Sequence, residues 1–248
     1  MEVFTVAWVL AFCTVLFASF VRGVSGFGAA LIMAPVLLLI TGSKSIVVVN
    51  LILGVIANII VLCFTFRHVN LRGIIPMSLC SLLGIPLGVW VITIITPETL
   101  KVFIGAATIV FAIPLALGIT REFKREAAAC SISGFLSGFL SSSTSMAGPP
   151  VVLFMHNQNW QKEVIYANLT AYFLFSSVCS LAALSTRGFV EGQVAVFALS
   201  LVPAMLIGTF IGIRTFRRLD ARFFRGLALV IVFCAGLLGI VSGVGWLG

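Results

Sequence analysis

The sequence predicts an all-α, polytopic membrane protein: two inverted repeats of about five helical segments each, with broken or re-entrant helices near the middle of the membrane. Three observations predict it. Of 248 residues, 61% are hydrophobic and only 9% charged, a balance that one soluble core cannot absorb, so lipid must be the solvent for most of the surface. Long apolar runs recur along the whole chain, and the second half repeats landmarks of the first.

The runs at 3–21, 46–66, 73–95, 102–119, 164–183, 194–213 and 227–246 carry almost no charge. Each approaches the roughly 20 residues that cross a bilayer as helix, the default form where backbone polar groups have no water to bond. No basic residue precedes the first run, and it continues straight into a glycine-rich stretch, so it reads as a retained span and not as a cleaved signal peptide. The net charge of +8 comes from Lys and Arg set singly or in small groups between apolar runs, which argues against a nucleic-acid partner. Cys13, Cys63, Cys80, Cys130, Cys179 and Cys234 all lie inside apolar runs without C-x-x-C spacing, as small core hydrophobes do. His68 and His156 have no second ligand at metal spacing, so neither a metal nor a cofactor is implied.

Laid on itself, the sequence brings SGFG at 25–28 over SGFL at 137–140, Asn50-Leu51 over Asn168-Leu169, and GIPLG at 84–88 over GTFIG at 208–212. The last pair are small-xxx-small patterns that let helices approach closely. The expected repeats are 1–122 and 123–248. Five segments per half is an odd count, which inverts the second copy. With the amino terminus outside, inner connections hold Arg22, Arg67, Arg72, Arg121, Lys124, Arg125, Lys162, Arg214, Arg217, Arg218, Arg222 and Arg225, while outer ones keep Lys44, Lys101 and Arg187. That asymmetry is the positive-inside signal. Inverted repeats of this kind are common in secondary transporters, where two related halves expose a central site alternately.

Two segments are too short to cross. At about 1.5 Å per residue, 29–40 spans about 18 Å and 149–155 about 10 Å, against a hydrocarbon core of roughly 30 Å. The turns before them, Arg22-Gly23-Val24-Ser25-Gly26-Phe27-Gly28 and Ser141-Ser142-Ser143-Thr144-Ser145-Met146-Ala147-Gly148, are therefore expected inside the membrane, buried beside a path. Glycine allows close approach, hydroxyls donate, and the half-helix that follows starts with unpaired N–H groups at its positive end; together these form an anion cradle. Arg22, Gly23, Ser25, Gly26, Gly28, Ser137, Gly138, Ser141, Ser142, Ser143, Thr144, Ser145 and Gly148 are the candidates this gives. Such turns also serve simply to bend and pack helices.

Asn50 and Asn168, matched amides in otherwise apolar helices, complete the candidate set, with Asn58 on the same face as Asn50 and Thr170 near Asn168. They serve either a ligand or a neighbouring helix. Pro35, Pro86, Pro114 and Pro203 read as kinks. Glu2, Glu98, Glu122, Glu126, Glu163, Glu191 and Asp220 fall at segment ends or in loops, so coupling through a buried acid is disfavoured and the membrane potential suffices to drive an anion out of a negative-inside cell.

The runs GVSGFGAALIMAPVLLL at 23–39 and SGFLSGFLSSSTSMAGPPVVLF at 133–154, with GIPLG and IGTFIG, resemble the sulfite exporter family, also called TauE/SafE. The resemblance covers nearly the whole chain. It implies a multi-pass permease for sulfite, organosulfonates such as sulfoacetate, or related small anions, run as uptake in some members; for this chain export across the cell inner membrane is expected over import. The family's first glycine cluster falls on Gly23, Gly26 and Gly28 and its proline on Pro35, whereas Ala29, Ala30 and the 141–145 serines stand where the family often has glycines. The implied partners are a small anionic substrate and the lipid bilayer; oligomeric state stays open. Two competing readings are an intramembrane enzyme using the serine-rich turn, for which His156 is the one base on offer and no acid lies nearby, and a non-transporting assembly partner.

Overall fold

The computed structural model describes residues 6–25, 28–117, 126–158, 160–216 and, near the carboxyl terminus, 233, 237, 240, 241 and 243. Among them every regular element is helical: α1 (Val6–Ser25), α2 (Ala29–Thr41), α3 (Ile46–Thr65) with a 3₁₀ turn at Phe66–His68, α4 (Leu71–Ile94) and α5 (Pro97–Leu117), then α6 (Glu126–Thr144), α7 (Gly148–Met155), α8 (Lys162–Ser185), α9 (Gly192–Ser200) and α10 (Val202–Phe216). The spans Val6–Val24, Ile46–His68, Leu71–Ile94, Lys162–Ser185 and Gly192–Thr215 are long and apolar enough to cross a membrane. The expected boundary between residues 122 and 123, Gly26 and most of the last apolar run lie outside the described residues.

The apolar runs become helices whose ends shift by only a few residues. One run divides: 194–213 becomes α9 and α10, interrupted at Leu201, whose N–H bonds the Ala198 carbonyl three residues back. Pro203 supplies no N–H there, so the ladder fails at the turn before it. Two short helices appear as expected, α2 with 13 residues and α7 with 8. Gly42 stops α2 by taking a left-handed conformation, φ 62°, in which its N–H closes on the Leu38 carbonyl at 2.9 Å.

Both breaks are narrower than the sequence implies. α1 runs on through Ser25, so Arg22 and Gly23 are helical, and α6 runs on through Thr144, leaving only 145–147 outside helix. The serine run stays helical because its hydroxyls bond back along the helix. Ser143 donates to the Phe139 carbonyl at 2.7 Å and Thr144 to that of Leu140 at 2.8 Å, so these polar side chains are satisfied without leaving the ladder.

Two helix pairs are closed backbone against backbone. A Cβ on Gly84 would lie 2.1 Å from the Phe135 carbonyl oxygen, and one on Gly88 would lie 2.3 Å from that of Phe139. From the other side, Cβ atoms on Gly134 and Gly138 would meet the carbonyl oxygens of Met77 and Ser81 at 2.3 and 2.2 Å. Thus α4 and α6 interlock through glycines spaced four apart on each. The second pair uses Gly208 and Gly212 of α10 against Leu16 and Phe20 of α1, with Gly23 of α1 facing Thr209 in return. In both pairs the partners are distant in sequence, α1 with α10 and α4 with α6, and α3 packs along α8 between them.

The outward faces are apolar. Leu71, Ile75, Leu79, Leu83, Leu87 and Ile94 of α4 are all exposed, a stripe at helical spacing that suits contact with hydrocarbon and not with water.

Gly138→Val should drive α4 and α6 apart and destabilise the protein by about 3 kcal/mol or more, the upper end of overpacking costs. Gly54→Ala meets only the Ser177 hydroxyl at 3.7 Å and should leave stability unchanged or slightly raised. Thermal unfolding in detergent separates the two; equal melting temperatures would contradict the packing assignment.

Candidate functional site

The ends of the two breaks open onto one cavity of about 80 Å³. Room for a single water needs only about 10–15 Å³ on this measure, so the space suits several waters or one small ion. Gly28, Ala29, Ala30 and Met33 bring the start of α2 to it, and Ser145, Ala147 and Gly148 bring the turn from α6 into α7. Ser19 and Arg22 of α1 face it, as do Asn50, Leu51, Leu53, Gly54 and Asn58 of α3; Phe173 and Ser177 of α8 and Met205 of α10 complete the lining.

Asn50, Gly54 and Asn58 share a face of α3 because they are four residues apart, about one turn. Both amides are engaged by the breaks. The Arg22 guanidinium donates to the Asn58 side-chain carbonyl, which holds a charged group against α3. Asn50 Nδ2 donates to the Ser145 hydroxyl oxygen at 3.0 Å, and that hydroxyl donates in turn to the Thr144 carbonyl. Ser145 has φ 62°, the one non-glycine residue described with positive φ. A serine is rarely held there except where its surroundings impose it; here the Asn50 bond and the Ser145 N–H bond to the Ser141 carbonyl, 3.0 Å, do so.

Arg22 is the sole ionisable side chain among the lining residues, and no described carboxylate pairs with it. The cavity therefore carries one positive charge. Gly28, at φ 96° with no side-chain cap on α2, adds the positive end of a helix whose first N–H groups have no partner within it. The start of α7 contributes less than the sequence implies, because Pro149 and Pro150 remove two of its first N–H groups.

Five of the sequence-derived candidates line the cavity: Arg22, Gly28, Asn50, Ser145 and Gly148. Arg22, counted above among inner connections, lies within α1. Gly23 and Gly138 sit at the backbone-closed helix pairs. The remaining polar candidates are turned to protein partners: Ser137 donates to the Ala147 carbonyl at 2.6 Å, Ser141 accepts from Ser180 at 2.9 Å, and Ser142 donates to the Ile85 carbonyl at 2.8 Å. Ser143 and Thr144 are satisfied along α6 as above. Asn168 departs from its counterpart Asn50: its Oδ1 accepts the Asn70 N–H at 2.7 Å and so steadies the start of α4. Thr170 bonds the Tyr166 carbonyl. Gly26 and the Ser25 side chain are outside the described residues. Ser19, Gly54 and Ser177 were not singled out from sequence, although Gly54 could have been found, lying midway between Asn50 and Asn58 on one face.

An intramembrane hydrolase finds no support in this arrangement. The serine-run hydroxyls bond carbonyls or other hydroxyls, and no base lies among the cavity-lining residues.

No curated protein and no solved structure matches the chain. The family described as sulfite exporter TauE/SafE matches residues 11–239, nearly the whole length, and with the helical membrane architecture this gives the assignment. The chain belongs to the TauE/SafE sulfite exporter family, and membership implies a membrane permease for sulfite or a related anion.

Proposed function

We propose that the chain carries sulfite or organosulfonates outward across the inner membrane, binding them in the cavity between the two helix breaks. The observation that carries this reading is the lone guanidinium of Arg22, facing a cavity that two interrupted helices and two buried amides share. A partly buried cation without a carboxylate is costly unless an anion visits it. Backbone donors at Gly28 and Gly148 would face such an ion, with Arg22 supplying most of the attraction.

Alternation would follow from the repeat. If 1–122 and 123–248 are related halves of opposite orientation, each first helix is held by the other half's fourth segment, in the pairs α1–α10 and α4–α6. The halves would then move as two cross-linked bodies about the cavity. Single cysteines at Arg67 and Arg187, both exposed, should label from opposite membrane sides with an impermeant reagent in a cysteine-free background; same-side labelling removes the inverted repeat.

The transported charge would respond to voltage by about 2.3 kcal/mol per charge per 100 mV. Sulfite flux in proteoliposomes should follow an imposed potential without sodium, and strict sodium dependence would contradict uncoupled transport. Arg22→Gln should lower apparent affinity about ten- to a hundredfold, the value of a charge-assisted bond of about 1.5–3 kcal/mol, with the melting temperature little changed. Unaltered flux in that variant rules the cavity out.

A further inference from the structure

Building on the transport reading above, we infer that the ligand this cavity selects is a singly charged oxoanion that itself carries one hydroxyl, as hydrogen sulfite and hydroxyalkanesulfonates do. Two separate features of the cavity point to it.

The first is charge. Arg22 is the sole ionisable group in the lining, so a monoanion neutralises the site, whereas a dianion leaves one negative charge uncompensated where solvation is poor. No histidine, cysteine, lysine or carboxylate occurs among the lining residues, and the titratable group that α8 brings to bear on Arg22 is the Tyr166 phenol. A pH dependence of transport near neutrality therefore belongs to the ligand.

The second is an acceptor without a donor. Asn50 is 6% exposed, and its Oδ1 has no hydrogen-bond partner. Its Nδ2 is committed to the Ser145 oxygen, and the Ser145 hydroxyl hydrogen is committed to the Thr144 carbonyl. A buried acceptor left unmet is unfavourable, so a ligand that brings an O–H to this position gains a bond that a fully ionised sulfite or a simple alkanesulfonate cannot make. Sites with such a polar demand discriminate strongly against the analogue lacking the group. Hydrogen sulfite and 2-hydroxyethanesulfonate share the chemistry: one negative charge, several acceptor oxygens for Arg22 and the helix ends, and one donor for Asn50.

Purified wild-type protein in liposomes tests this with three anions, each corrected for leak in protein-free vesicles. At fixed pH, 2-hydroxyethanesulfonate should move about tenfold or more faster than propanesulfonate, its isostere with a methyl in place of the hydroxyl. At constant total sulfite, flux should rise as pH falls, in proportion to hydrogen sulfite, while propanesulfonate flux stays flat. In Asn50→Leu the ratio of hydroxyethanesulfonate to propanesulfonate flux should fall to about one; if that variant does not fold, the wild-type ratio and pH trend decide alone. Equal rates for the isosteric pair, or sulfite flux that rises with pH, overturn this inference and leave anion transport standing. No protein-dependent flux of any of the three overturns the transport reading and this inference with it.

Discussion

Without Cβ atoms at Gly84, Gly88, Gly134 and Gly138, the backbones of α4 and α6 come close enough for the carbonyl of one helix to rest on the Cα of the other. The same contact recurs between α1 and α10 at Gly23, Gly208 and Gly212. In hydrocarbon there is no hydrophobic drive to bring apolar helices together, so close packing of this kind supplies much of the adhesion. Because α1 is held by α10 and α6 by α4, these pairs fix the helices that lead into the two breaks, with α3 and α8 packed against them. Everything proposed about the cavity depends on that placement.

The cavity's chemistry follows from what the packing leaves over. The Ser142, Ser143 and Thr144 hydroxyls are taken up by carbonyls of α4 or α6, and the Asn168 side-chain carbonyl by the start of α4. Turned to the shared space are a guanidinium held by Asn58, an amide pinned by Ser145, the uncapped start of α2, and Ser19 and Ser177. A lone positive charge beside a helix start attracts anions, and the absence of an acid among the lining residues leaves nothing there to compete with them.

Much of the fold was legible because hydrophobicity and length dominate it. Apolar runs set the helices, and the two short segments and the small-xxx-small pairs emerged where the residues indicated. The breaks were drawn too wide because serine and glycine signal turns in general, while Ser143 and Thr144 bond their own helix at its last turn, a choice that depends on the backbone around them. Of the residues lining the cavity, Arg22, Gly28, Asn50, Ser145 and Gly148 stand out in the sequence by composition and repeat position. Asn168 matched Asn50 in sequence but not in surroundings, since its partner, the Asn70 N–H, comes from a segment about a hundred residues away that no local pattern reveals. Proline at 149 and 150 counted toward a helix start, yet each removes a donor that an anion needs.

Selenite shares the pyramidal shape and charge of sulfite and scatters X-rays anomalously, so crystals grown with it locate the bound anion directly. The account predicts a selenium peak in the cavity, within hydrogen-bond reach of Arg22 and beside Asn50 and Gly148. An ordered selenium peak elsewhere in the protein, with the space beside Arg22 empty, would contradict it.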